Sequence, residues 1–273
     1  DDTLNLYRGC NHGCIYCDTR SLCYHIEDFD TVRVKADCLT ALERELRAKK
    51  RAGVVSMGAA SDGYNAREAR LQVTRGALML LRRYGFGVFL STKGDLVARD
   101  ADVLGDMAKS GYACVAFSIT TGDAALAALL APAAAPPAAR FAAMRALAEA
   151  GVCTGTWMNP MLPLLTDNAA TIRDVLQKTA DAGGRFALCH YGLTLREGDR
   201  EYFYRALDAH PRFAGVKARY VETYGLDYIC PSPDALALRE MFEAECARLS
   251  LACTFAEVNR IAGAGEPQQT SLL

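Results

Sequence analysis

The chain has 273 residues, 51% of them hydrophobic, with 31 basic and 32 acidic side chains for a formal net charge of −1. That length and apolar share suit one main folded domain, and no apolar run reaches the roughly 18 residues that span a bilayer. The near-neutral charge excludes the broad phosphate attraction of a dedicated nucleic-acid binder, although a local basic patch stays open.

In chain order, short apolar runs alternate with amphipathic stretches, the pattern of repeated βα units around a parallel sheet. Strands are expected at Leu4–Tyr7, Val54–Met57, Val88–Ser91, Cys114–Ile119, Val152–Met158 and Phe186–Cys189. Apolar residues at helical spacing mark the helices: Leu39, Leu42 and Leu46, then Leu71, Leu78 and Leu81, then Val103 and Met107. Phe141, Met144 and Leu147 mark a further helix, and Ile172, Val175 and Leu176 another. The stretch Leu129–Ala139, rich in alanine and proline, reads as the loop after the fourth strand. Six units predict an α/β fold, a partial (β/α)6 TIM-type barrel open on one side, over residues 1–192.

Beyond Gly192 the rhythm ends, and residues 193–273 read as a partly helical extension built on Arg196–Leu207, Tyr220–Tyr228 and Ala235–Leu249. The extension is expected to help close the barrel and to select substrate. Its aromatics Tyr202, Phe203, Tyr204, Tyr220, Tyr224 and Tyr228 suit packing better than base stacking. Eleven cysteines, an odd number in a chain of this size, point to a reducing cytoplasm and not to a disulfide framework. The first residues do not read as a signal peptide.

In barrels of this kind the active site gathers at the C-terminal ends of the strands. Here those ends carry the cysteine loop, Ser61-Asp62, Thr92-Lys93, Ser118, Asn159 and His190. Ser61 and Asn159 also suit helix caps. Lys93 follows the apolar run Val88-Phe89-Leu90 and is expected near the barrel mouth, where an anionic carboxylate is its natural partner.

Cys10, Cys14 and Cys17 follow the spacing C-x3-C-x2-C, set between Gly9, Gly13 and Tyr16. A cubane iron–sulfur cluster needs one ligand per iron, so three thiolates on a short loop leave one iron open for chemistry. The same thiols with His12 also suit a structural zinc, and a non-catalytic iron–sulfur protein is the other reading of a different class.

C-x3-C-x-aromatic-C resembles the signature of radical S-adenosylmethionine (SAM) enzymes. Tyr7-Arg8-Gly9-Cys10, Ser61-Asp62, Thr92-Lys93, Phe117-Ser118-Ile119, and Pro132 followed by Arg140-Phe141 resemble the ordered landmarks of its spore photoproduct lyase-like branch. The resemblance implies that Cys10, Cys14 and Cys17 ligate a 4Fe–4S cluster whose open iron is chelated by SAM. It further implies reductive cleavage of SAM to methionine and a 5′-deoxyadenosyl radical that takes a hydrogen atom from a substrate. Tyr16 is expected near the adenine, Ser61, Lys93 and Ser118 along the SAM, and a low-potential donor such as flavodoxin or ferredoxin as partner. The substrate is unknown, with nucleic acid possible and no membrane expected. Three departures bear on the lyase reading. Ala59 stands where the lyase has its hydrogen-donating cysteine, Asp18 where it has a tyrosine, and Ala131 where family members have a glutamate. An alanine has no labile S–H, so repair of a DNA lesion by that route becomes the runner-up function.

Overall fold

The structure, a computed structural model, describes residues 2–263. The chain begins with β1 (Asp2–Leu4), then β2 (Tyr7–Arg8) and β3 (Arg33–Val34) on either side of the cysteine loop, and α1 (Cys38–Ala48). Four βα repeats follow: β4 (Val54–Met57) with α2 (Glu68–Leu71) and α3 (Val73–Arg83), and β5 (Gly87–Thr92) with α4 (Ala101–Ser110). Then come β6 (Ala113–Ser118) with α5 (Ala124–Leu130) and α6 (Pro137–Glu149), and β7 (Cys153–Met158) with α7 (Ala169–Asp181). β8 (Phe186–Cys189) ends the repeat. The rest is β9 (Gly192–Thr194), α8 (Asp199–Asp208), α9 (Val216–Tyr224), β10 (Ile229–Pro231), α10 (Ala235–Arg248) and α11 (Phe255–Ile261).

The main sheet has the order β1-β4-β5-β6-β7-β8 with every pair parallel, the six-strand partial barrel expected from the apolar runs. β6 is buried at every residue, as a central parallel strand covered on both faces must be. Its outer side chains Val115 and Phe117 join a core with Leu78, Leu104, Met144 and Leu147 from the surrounding helices. Its inner side chains Cys114 and Ala116 pack against Val258 and Ala262 at the C-terminal end of the chain. A third apolar cluster joins Ile15 and Tyr16 of the cysteine loop and Leu130 of α5 to Leu193, Phe203, Leu207 and Tyr220 beyond β8.

Three expectations need correction. The first sheet strand is Asp2–Leu4; Tyr7 and Arg8 leave the sheet to pair antiparallel with Val34 and Arg33, which closes the base of the cysteine loop. Leu129–Ala139 is loop only in its middle, because α5 runs through Leu130 and Pro137 starts α6 at a position where proline costs no hydrogen bond. The extension holds a further helix, α11, and a two-stranded ribbon of β9 with β10. The end of the extension, residues 264–273, lies outside the described residues. All eleven cysteines are free thiols. Among the described residues no helix is long and apolar enough to cross a membrane.

Candidate active site at the cysteine loop

The loop leaves β2 through Gly9, whose φ is +78° and where a Cβ would lie 2.6 Å from the carbonyl oxygen of Phe29 and 2.7 Å from that of Thr31. Only glycine fits that turn, and it lets the Cys10 N–H donate to Phe29 O at 2.8 Å. Two further bonds dock the loop on the end of α5: Ile15 N–H to Leu130 O at 2.9 Å and Ala133 N–H to His12 O at 3.0 Å. Burial of Ile15 and Tyr16 in the apolar cluster beneath fixes the intervening turns, while Arg20 lies 4.0 Å from the Tyr202 ring centroid and pairs with Asp30.

One buried pair ties this loop to the sheet. His12 Nε2 is 3.0 Å from Asp62 Oδ2, and both side chains are buried. Asp62 also accepts from Thr92 Oγ1 at 2.7 Å, from Lys93 N–H at 2.7 Å and from Tyr64 N–H at 2.8 Å. Burial pushes its carboxyl up, but His12 and the other donors outweigh that and hold it well below the usual carboxylate range. Ser61 donates from Oγ to Gly9 O at 2.6 Å, so it braces the loop and does not cap a helix.

Lys93 stands at the barrel mouth as expected, with Nζ 5.7 Å from the Tyr16 ring centroid and no carboxylate partner among the described residues. Burial lowers the pKa of this ammonium, yet Tyr16 and Cys14 beside it hold it above its ordinary value. Tyr16 is pushed up to about 12, chiefly by burial and against the pull of Lys93. Ser118 ends β6 with its carbonyl accepting from Arg140 Nη1 at 2.6 Å; Arg140 also donates from Nε to Ala135 O at 2.7 Å. Arg140 is buried, and that burial pulls its guanidinium below its ordinary value. Burial also pushes the Cys10 thiol up to about 12, with the Asp62 carboxylate adding to it, and raises Cys17, with Cys14 adding there.

All three thiols lie on the loop at the barrel mouth, Cys14 buried and Cys10 and Cys17 half-buried. Among the described residues no three His, Cys, Asp or Glu side chains converge as ligands of one metal. His12, the expected fourth zinc ligand, is turned toward Asp62, with Nε2 3.0 Å from Oδ2 and Nδ1 3.5 Å from Ala133 O. Ala131 is buried in the apolar cluster beside Tyr16 and supplies no polar group. The sequence reading singled out every cysteine, Tyr16, Ser61, Lys93 and Ser118, but gave no role to Asp62 or Arg140 and saw His12 only as a zinc ligand. The pairing of His12 with Asp62 spans fifty residues and carries no local signal. A shallow groove between α1 and α3, lined by Leu39, Glu43, Met79 and Arg83, holds none of the predicted site residues.

Comparison with known proteins places this geometry in a family. Residues 4–179 match the Radical SAM superfamily model. An uncharacterized protein of Mycobacterium tuberculosis is 32% identical over 258 residues, covering 92% of this chain and 75% of that protein. One of Methanocaldococcus jannaschii is 27% identical over 166 residues, covering 60% and 61%. Among solved structures, a point mutant of spore photoproduct lyase superposes with a TM-score of 0.69 at 13% identity, over 92% of this chain and 75% of the lyase chain. Streptococcus suis SuiB bound to S-adenosylmethionine superposes with a TM-score of 0.58 at 15% identity, over 92% of this chain and 49% of the SuiB chain. These neighbours share the barrel. With the three-cysteine loop at its mouth, the chain belongs to the radical SAM superfamily.

Proposed function

We propose that Cys10, Cys14 and Cys17 hold the 4Fe–4S cluster and that Tyr16, Ser61, Lys93 and Ser118 line the SAM site. As a radical SAM enzyme the protein uses that cluster and SAM, and it needs a reductant and a substrate. When bound, the cluster supplies the electron that cleaves SAM to methionine and a 5′-deoxyadenosyl radical. The chain's own work is orientation. The observation that carries the assignment is the buried bridge from His12 through Asp62 to the Lys93 backbone, which fixes the cysteine loop and the lysine relative to each other. Lys93 then offers an unpaired ammonium to the methionyl carboxylate, and Ser61 holds the loop's entry. Flavodoxin or ferredoxin is the reductant this reading favours, and eleven free thiols support a reducing cytoplasm as its location.

Residues 1–192 make the catalytic barrel in this reading and 193–273 an extension that supports it, a division suggested by the end of the βα rhythm at β8. The test is direct. Anaerobically reconstituted, reduced protein should bind iron and convert SAM slowly to 5′-deoxyadenosine without further substrate, and Cys14→Ala should lose both properties. Undiminished cleavage by Cys14→Ala would refute the assignment, while a colourless protein with one zinc per chain would establish a structural site instead.

A further inference from the structure

Inside the barrel, Phe89 of β5, Trp157 of β7 and Phe255 of α11 meet as three rings. Their centroids lie 6.0 Å apart for Phe89 and Trp157, 6.1 Å for Phe89 and Phe255, and 5.6 Å for Trp157 and Phe255. None lies parallel on another, so a further flat ring can stack against them. Trp157 is in register with Ser118 and therefore stands at the level of the expected SAM site. Phe89 is four residues below Lys93 on its strand, about 13 Å deeper at roughly 3.3 Å per residue.

The third ring comes from the far end of the chain. α11 lies under the inner face of the sheet, with Val258 and Ala262 packed on Cys114, Cys153 and Phe186, and with Tyr112 OH donating to Asn259 Oδ1 at 3.0 Å. It fills the base of the barrel and holds Phe255 at its first residue, where Glu257 N–H donates to Thr254 Oγ1 at 3.2 Å and fixes the helix start. Phe255 is 50% exposed although it touches two other rings inside the barrel. Phe89 and Trp157 are themselves only half-buried, so all three rings keep accessible surface. At the neighbouring strand ends, the side chains of Asn159 and His190 have no hydrogen-bond partner among the described residues, nor has the indole N–H of Trp157.

We propose that Phe89, Trp157 and Phe255 form the substrate subsite of this enzyme and that it takes a flat heteroaromatic ring, a nucleobase or its like, carried by a small molecule. The inference rests on the radical SAM reading, which puts the reacting substrate in this chamber. Three aromatic rings select a planar group, and unpaired donors at the rim select ring nitrogen and oxygen. A net charge of −1 favours a small molecule over a nucleic-acid strand, whose phosphates would need many cations.

Trp157 is the only tryptophan of the chain, so its emission reports on this subsite alone. Uridine titrated into the SAM-loaded holoenzyme should quench that emission saturably, and cyclohexanemethanol should not. Phe255→Leu keeps the apolar volume and removes one ring, so uridine binding should weaken about 5- to 150-fold. Asn159→Ala provides a second variant, expected to weaken uridine several-fold. Absence of saturable quenching, equal quenching by the non-planar alcohol, or unchanged uridine affinity in both variants would overturn the subsite. Oligouridylate binding a hundred times tighter than uridine would overturn the small-molecule assignment. Iron content and SAM cleavage of the unaltered protein are read separately, so failure of the radical SAM reading is distinguishable from failure of the subsite.

Discussion

Asp62 makes four contacts with three parts of the chain that must agree on one geometry: the ring of His12, the N–H of Lys93 with the hydroxyl of Thr92, and the N–H of Tyr64. Its removal would strand several buried donors, each worth about 1–3 kcal/mol when left unpaired. Asp62→Ala should therefore lower stability by about 3–5 kcal/mol in denaturant titration of the cluster-free protein. Lys93→Ala removes a charge that has no carboxylate partner among the described residues, so the fold and the iron content should persist. Its loss should weaken SAM binding by roughly 10- to 150-fold, one charge-assisted contact, and equal affinity in a folded variant would take Lys93 out of the site. Asp199 sets a different test. It is fully buried with Oδ2 unpartnered, and burial raises its pKa to about 7 against the N–H of Arg196. The folded state then holds a proton that the unfolded state has released above about pH 4, so stability falls as pH rises from about 4 through 7. Asp199→Asn should flatten that slope between about pH 4 and 7, seen as a melting temperature that no longer drops as pH rises to neutral.

At the scale of elements, what was legible in the sequence follows how local the cause is. Val54–Met57 and Phe186–Cys189 were placed to the residue, because an apolar run between polar or glycine-containing flanks has few other uses in a parallel sheet. The first strand was misplaced because Leu6 and Tyr7 are as apolar as Leu4, and their departure from the sheet is decided by pairing with β3 some twenty-seven residues on. α5 hid in an alanine-rich stretch whose prolines dominated the reading, although Asp123 caps it by accepting from Ala125 and Leu126 N–H. α11 went unseen for a better reason: it has only seven residues, and its role comes from where it lies in the barrel. Its start depends on the cap that Thr254 shares with Glu257. Thr254→Ala should cost about 1 kcal/mol of stability, and because the helix carries Phe255 it should also broaden or shift Trp157 emission. An unchanged emission spectrum would mean that the cap does not set the ring's position.

At the scale of the whole molecule, α8 and α9 of the extension pack beneath the cysteine loop, while α10 and α11 pack on the barrel. Phe203 and Tyr220 are fully buried beneath that loop, Tyr224 is buried with them, and half-exposed Tyr228 is covered by the Arg196 guanidinium 4.3 Å from its centroid. Phe203, Tyr220 and Tyr224 are therefore core, in line with the packing role the sequence favours, while Tyr202 and Tyr204 are half-buried and Tyr228 stays exposed; the net charge of −1 offers no broad attraction for phosphates. Ala59, where the lyase resemblance calls for a hydrogen-donating thiol, is exposed on the loop between β4 and Ser61. Reduced enzyme incubated with SAM and spore photoproduct-containing DNA should consequently release 5′-deoxyadenosine without forming thymine monomers. Multiple-turnover repair would overturn this and direct attention to Cys23, Cys153 or Cys189 as a relocated donor. Cys153 is the weakest of these on structural grounds, since it is buried beside Cys114 on the inner face under α11. Ala59→Cys separates the two remaining causes: restoring the thiol should not restore repair if recognition is what differs. SAM cleavage in that variant should continue at the unaltered rate while thymine monomers stay at background. Even slow monomer formation would show that the chamber still accepts the lesion and that only the donor had been lost.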